Sequence, residues 1–436
     1  MEPIDSLIDA KWVVPVVPEG AVLERHSVAV KDGLIVAVLP SDEAAERFRP
    51  ARRHVLSEHA LIPGLVNLHT HASMALMRGL ADDLPLMQWL NEHIWPAEAR
   101  HVSARFVYEG TRLACAEMLA GGVTCMNEMY FFPEEAARAA LDSGMRAAIG
   151  IIAIDFPTAY ASDADDYLAK GLAARDRLAR EPLLSFCIAP HAPYTVSDRT
   201  LERSLMLAEE LDLPIHMHVH ETAAEVAQGL EQHGMRPLAR LAHLGIVGPR
   251  LIAVHAVHLD AAEVEMLARA GASVAHCPSS NLKLASGIAP VAALLAAGVP
   301  VGIGTDGAAS NNSLDMFREM RLAALLAKGA SGNAQAMPAA QALSAATIHP
   351  AAALGLDERI GSIEVGKAAD LCAVALNRPG LMPCYDPVSH LVYAAGREDV
   401  THVWVAGLIQ LDDGQLDVKM GDLDNLSRLW QNNIRG

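Results

Sequence analysis

The sequence predicts an α/β protein: a (β/α)8 barrel of the TIM type, with a small β-sandwich built from both chain ends. Three observations predict it. Eight strand-like apolar runs between Leu61 and Thr305 alternate with Ala- and Leu-rich helical stretches, the pattern of a closed parallel barrel. β-rich segments flank that region on both sides, and each alone lacks a second sheet to bury its apolar face. His, Glu and Asp recur at the ends of the strand-like runs, at His69, His71, His191, His218, Glu221, His255, His276 and Asp306. The C-terminal ends of the strands are where such a barrel gathers its chemistry.

Taken in order, residues 1–58 form the first part of the sandwich. Alternating runs at 6–10, 12–17, 27–30 and 34–38 read as strands, and Lys31-Asp-Gly33 is a tight hairpin signal. Residues 59–358 form the barrel. Its strands are expected at 61–68, 123–127, 147–154, 183–189, 214–218, 251–255, 273–276 and 299–305. Helices are expected between them at 105–120, 133–143, 166–180, 200–211, 223–233, 261–270 and 290–297, with a further helical stretch at 338–354. No Gly-x-Gly-x-x-Gly follows a strand, which counts against a dinucleotide-binding sheet. Residues 359–436 return to β texture at 361–371, 372–376, 400–406 and 408–411, turn at Asp412-Asp-Gly414, and end in a helix at 423–434.

Composition narrows the function classes. Apolar residues make up 52% of the 436, enough for a large core and against disorder. Asp and Glu number 52 against 34 Lys and Arg, and a net charge of -18 disfavours nucleic acid and anionic membrane surfaces as partners. The six cysteines are scattered with no Cys-x-x-Cys pair, as expected of core residues in a reducing compartment. With no basic-then-apolar leader and no apolar run of spanning length, the expected location is cytoplasmic.

His69-x-His71 puts two imidazoles on one side of a strand, half of a transition-metal site. In Pro214-Ile-His-Met-His-Val-His-Glu221, His216, His218 and His220 share a face, and spacing alone leaves open which one binds metal. Glu221 lies on the opposite face of an ideal strand, so it enters the site only where the strand ends and the chain turns. Asp306, in Gly302-Ile-Gly-Thr-Asp-Gly307, completes a set of three imidazoles and one carboxylate suited to zinc with an open position for water. Residues 183–190 contain no Lys, so a carbamylated bridging lysine is excluded there and a single ion is the simpler expectation. Glu221 is the candidate proton carrier and His255 the candidate electrophile or water-orienting residue.

These motifs carry a resemblance over almost the whole chain. Pro63-Gly-Leu-Val-Asn-Leu-His-Thr-His71, Met77-Arg-Gly-Leu-Ala-Asp-Asp83, Pro190-His-Ala-Pro-Tyr194 and His218-x-x-Glu221 belong to it. So do His255-Ala-Val-His-Leu259, His276-Cys-Pro-Ser-Ser-Asn-Leu-Lys283, Gly304-Thr-Asp-Gly-Ala-Ala-Ser-Asn-Asn-Ser313 and Gly366-Lys-Ala-Ala-Asp-Leu371. The chain resembles the amidohydrolase superfamily, in the branch of 5'-methylthioadenosine/S-adenosylhomocysteine deaminases and related chlorohydrolases. The resemblance implies metal ligands His69, His71, His218 and Asp306. It further implies Glu221 as the ring-nitrogen acid, His255 as the group polarising water, and Asp306 as a second proton acceptor. Glu98, in Trp95-Pro-Ala-Glu98, would hold ribose hydroxyls, His191 would contact the nucleoside, and Trp89 would line the pocket. The bland alternatives are a solvated Glu98, a hydrogen-bonded His191 away from substrate, and a core Trp89.

The implied reaction is hydrolytic deamination at C6 of an adenosine-type nucleoside. The implied cofactor is one Zn2+ per subunit, with iron or another divalent metal also compatible with the ligand types. A homodimer or tetramer is the expected assembly. One departure bears on substrate. Where relatives accepting S-adenosylhomocysteine place an Arg, residues 155–174 contain none and carry Asp163, Asp165 and Asp166, with Lys170 the only cation. That favours 5'-methylthioadenosine, with S-adenosylhomocysteine or adenosine secondary; Arg146 and Arg175 are the cations that could compensate. The segment between His71 and Arg105 is the candidate lid. Competing readings are a hydrolase of guanine, an oxidised purine or a triazine, and a non-catalytic metal-binding protein.

Overall fold

The computed structural model describes residues 1–416 and 420–435. The chain begins in a small sheet with β1 (Glu2–Val13), β2 (Leu23–Lys31), β3 (Leu34–Pro40) and β4 (Phe48–Pro63). The hairpin expected at Asp32-Gly33 is there, with both residues left-handed (φ 52° and 78°), as a tight turn between twisted strands requires. The barrel follows: β5 (Leu65–Thr70), β6 (Val123–Glu128), β7 (Arg146–Ala153), β8 (Leu184–Pro190), β9 (Ile215–Val219), β10 (Leu251–His255), β11 (Ser273–His276) and β12 (Val301–Ile303). Neighbours pair in parallel from β5 to β12. The last strands are β13 (Leu371–Ala375), β14 (Val400–Val405), β15 (Leu408–Asp412) and β16 (Gln415–Leu416).

The barrel closes where β12 meets β5, and side chains knit the seam. The Asp306 N–H donates to the His69 carbonyl at 2.9 Å. Asn67 Nδ2 donates to Thr305 Oγ1 at 2.8 Å, and the Thr305 N–H returns a bond to Asn67 Oδ1 at 2.9 Å. Two glycines allow this approach. A Cβ on Gly302 would sit 2.5 Å from Leu68 Cδ2, and one on Gly304 only 2.7 Å from the His69 backbone nitrogen. The strand carrying His69 and the strand leading to Asp306 therefore touch backbone to backbone.

Each of the seven helices expected between barrel strands is present, and four begin at side-chain caps: Ser103, Asp163, Thr222 and Asp260. The first barrel strand begins at Leu65, later than expected. Leu61–Pro63 instead finish β4, where Leu61 pairs with Ala373 and Pro63 with Leu371. The helical stretch at 338–354 is two helices, Ala339–Ala345 and Ile348–Ala353. The chain breaks there because the Ala346 carbonyl accepts from the Val66 N–H, while Thr347 Oγ1 bonds back to Leu343. Residues 361–371 make turns up to β13, apart from one bridge between Ala368 and Leu34. Helices at Met316–Ser331 and Pro387–Tyr393 were not expected.

Strands from both chain ends form one continuous ladder in the order β16-β15-β14-β13-β4-β1-β2-β3. The sheet curls until β3 meets the returning chain, with Ile35 N–H donating to Lys367 O and Ala369 N–H to Gly33 O. Ile8, Val28, Ile35, Leu61, Leu371 and Trp404 share the core it encloses, so neither end could bury its apolar face alone. A buried bidentate ion pair fastens this sheet to the start of β7: Arg146 Nε and Nη2 reach Asp370 Oδ2 and Oδ1 at 2.8 and 3.1 Å. Arg146 thus works at the N-terminal end of its strand, away from the catalytic rim. Among the described residues, no helix is long and apolar enough to cross a membrane.

Candidate active site

At the C-terminal rim the strand ends turn through backbone conformations that ordinary residues seldom adopt. His220, His255 and Asp306 all have positive φ, at 55°, 69° and 62°. The turn at His220 is what brings Glu221 round from the far face of β9. Its ring locks that turn: Nε2 accepts from the Leu238 N–H, which leaves Nδ1 to donate to the His258 carbonyl. The Glu225 carboxylate accepts the N–H groups of both His220 and Glu221 at 2.8 Å.

His69, His71 and His218 converge, as do His69, His255 and Asp306, with one donor atom from each residue of a set within 4.8 Å of the others. His218 Nε2 lies 3.3 Å from His69 Nε2, and Asp306 Oδ1 lies 3.2 and 3.4 Å from Nε2 of His69 and His71. In each imidazole the other nitrogen is already engaged. His69 Nδ1 meets His216 Nε2 at 2.9 Å, His71 Nδ1 meets the Met129 carbonyl, and His218 Nδ1 meets the His191 carbonyl at 2.8 Å. For His71 and His218 the carbonyl partners fix the proton on Nδ1 and leave Nε2 as a lone pair aimed at the common centre. Burial lowers the His69 pKa to about 4 and that of His218 well below the usual range, so both rings are neutral.

The Asp306 carboxyl is buried among these imidazoles. Ser280 and Ser310 hydroxyls donate to its Oδ2 at 2.6 and 2.9 Å, and the Gly307 N–H donates to Oδ1. A carboxylate among neutral imidazole lone pairs is a donor set for a divalent cation. Beside it, His255 Nδ1 is 2.8 Å from Asn281 Oδ1, and His255 Nε2 faces Glu221 Oε2 at 3.8 Å. Because an amide oxygen only accepts, the His255 proton sits on Nδ1 and Nε2 is free to accept. Burial pushes the Glu221 carboxyl above its ordinary range.

A cavity of about 590 Å³ opens over this centre. Its floor includes His71, His218, Glu221, His255 and Asp306, and its walls include Glu98, His191 and Trp89. Tyr130 Oη donates to Glu98 Oε1 at 2.5 Å, and burial raises the Glu98 pKa to about 7. Residues 86–102 supply a whole side of the cavity, from the segment singled out as a candidate lid. Lining at the mouth is apolar, with Leu86, Leu90, Ile94 and Phe156, and no Lys or Arg contributes among the described residues.

The acidic side chains of residues 155–174 do not reach this lining. Asp163 caps a helix, Asp165 pairs with Arg199 and Arg203, and Asp166 pairs with Lys170. Arg175 pairs with Asp176. Among the described residues, the cavity lining thus has neither a Lys or Arg nor an acidic side chain from residues 155–174. His276 is buried at the end of β11, outside the cavity lining, and neither ring nitrogen has a partner among the described residues. Asn281, Ser280 and Ser310 lie inside motifs already noted, but nothing in their spacing indicated contact with His255 or Asp306. Tyr130 gave no sequence signal at all.

Fold and site together define a metal-dependent hydrolase of the barrel class. A model of the amidohydrolase family matches residues 60–409, and the chain belongs to that family. It is 44% identical over 434 residues to a 5-methylthioadenosine/S-adenosylhomocysteine deaminase of Saccharophagus degradans, covering 99% of this chain and 97% of the relative. A protein of the same name from Teredinibacter turnerae is 46% identical, covering 98% and 95%. Among solved structures, an adenosine deaminase from Xanthomonas campestris with bound zinc is 53% identical, with a TM-score of 0.98 and coverage of 100% and 99%.

Proposed function

We propose that this protein hydrolyses the C6 amino group of adenosine-type nucleosides, converting 5'-methylthioadenosine to 5'-methylthioinosine and ammonia, with S-adenosylhomocysteine or adenosine as secondary substrates. One zinc ion per chain would be held by His69, His71, His218 and Asp306. The observation that carries the reading is the pairing of that donor set with Glu221, a buried carboxyl with a raised pKa, at the foot of an apolar cavity. When bound, such a cation supplies a Lewis acid that makes water nucleophilic near neutral pH.

The protein's own groups then divide the proton work. His255 Nε2 accepts a hydrogen bond from the attacking water and orients it, and Asp306 takes its proton. Glu221, whose carboxyl burial pushes above its ordinary range, gives a proton to the ring nitrogen beside C6. A C–O bond forms at C6, Asp306 passes its proton to the amino group, and the C6–N bond breaks to release ammonia while the hydroxyl proton returns to Glu221 and the carbonyl forms. Glu98 accepts from the ribose hydroxyls and His191 contacts the nucleoside. Trp89 and its apolar neighbours exclude water and bury the thiomethyl tail.

A purely binding role would not call for a proton carrier beside the donor set. Ammonia release should be measured with 5'-methylthioadenosine, S-adenosylhomocysteine, adenosine and guanine side by side. The expected kcat/KM for 5'-methylthioadenosine exceeds that for S-adenosylhomocysteine by at least about tenfold, or ~1.4 kcal/mol of transition-state binding. Equal efficiency would refute the argument from the missing cation. Turnover of guanine alone would move the chain to another heterocycle.

A further inference from the structure

We propose that His54, His402 and Asp412 form a second metal site, on the small sheet, that takes a zinc ion and clips the two chain ends together. One donor atom from each of the three lies within 4.8 Å of the others. His54 is on β4, from the first flank of the chain, while His402 and Asp412 are on β14 and β15, from the second. A fourth donor is close by, since the His59 ring centroid is 6.2 Å from that of His402.

The placement of these imidazoles is unusual for a sheet interior. His402 lies two residues before Trp404, on the face whose other residues are the apolar core, and stacks on it with centroids 5.6 Å apart. His54 meets the same indole edge-on at 5.2 Å. His54 is buried and His59 partly buried, yet His54 Nε2 and His59 Nδ1 have no hydrogen-bond partner among the described residues. An unsatisfied buried nitrogen destabilises the fold. Nothing in the deamination chemistry uses these rings, and a bound cation would satisfy them.

His402 is already oriented as a ligand. Its Nδ1 is 2.8 Å from Thr401 Oγ1, and its Nε2 points at Asp412 Oδ1, 3.5 Å away. Asp412 Oδ2 is taken by Arg52, which leaves Oδ1 for the ion. A tetrahedral zinc with bonds of ~2.0–2.1 Å brings its donors to about 3.4 Å of one another. The half-exposed Asp412 side chain can make most of that closure. Imidazole and carboxylate donors without thiolate suit zinc among the borderline cations.

The test is zinc content after loading with Zn2+ and desalting, for wild type, His54→Ala/His402→Ala and Asp412→Asn, together with zinc-edge anomalous scattering from wild-type crystals grown with zinc. Wild type should hold one more zinc per chain than the double variant, whose deaminase turnover should be unchanged. An anomalous peak should lie between His54, His402 and Asp412. Equal zinc content, or no peak at those side chains, would overturn the site. If the double variant fails to fold, His402→Gln and the anomalous map carry the same decision.

Discussion

In the proposed reaction the chemistry turns on Glu221, which combines a buried, raised carboxyl with a position facing His255. Glu221→Gln should keep the fold and the zinc while lowering kcat by about 10²–10⁴-fold, the usual worth of a positioned acid–base group. Rates near wild type with metal content intact would remove Glu221 from the mechanism. The sequence identified this residue but could not orient it. Period-two alternation puts Glu221 opposite His218, and only the left-handed His220 reverses that, held by Leu238, His258 and Glu225. Those partners are distant in sequence or unremarkable in type, so no local pattern announced them. The choice among His216, His218 and His220 was similarly closed to spacing. Structure separates them by contact: His218 faces the centre, His216 backs His69, and His220 holds the turn.

The elements that place the site are β5 and the strand before Asp306, and their fit depends on glycine. Gly304→Ala would drive a methyl group into the His69 backbone, where the space is 2.7 Å. One strand must move, and misplacement of ~1 Å at reacting groups costs on the order of 10²-fold in rate. The variant should therefore lose activity and bind zinc more weakly while remaining folded, checked by kinetics and zinc titration alongside circular dichroism. Activity and zinc affinity like wild type would show that the seam is softer than this. At this scale the sequence was most legible where periodicity and caps agree, as in four of the seven helices between barrel strands. It failed where tertiary partners decide. Leu61–Pro63 read as barrel strand because they are apolar, but their ladder partners are in β13. The break at Ala346–Thr347 follows from a carbonyl claimed by Val66, which no local signal records.

Over the whole molecule, the two chain ends close one sheet and Arg146–Asp370 fastens it beneath the barrel. Both partners are buried, and Asp370 also accepts the Ala406 N–H at 2.7 Å. Asp370→Ala strands a buried guanidinium and should cost about 3–5 kcal/mol, seen as a lower melting midpoint. An unchanged midpoint would mean the junction carries no such weight. The same pair shows why long-range design was hard to read: Arg146 looked like a candidate cation for the substrate cavity until its partner, 224 residues away, was located. The barrel, the sheet shared by both ends and the gathering of His and Asp side chains at the rim were legible, because each is written in strand-end residues and flanking texture. The account as a whole is tested most directly by ammonia release from 5'-methylthioadenosine, with zinc-loaded, chelator-stripped and zinc-restored protein compared. It predicts release by the loaded protein, loss on stripping and recovery on restoration. No release from loaded protein, or release unaffected by stripping, would contradict it.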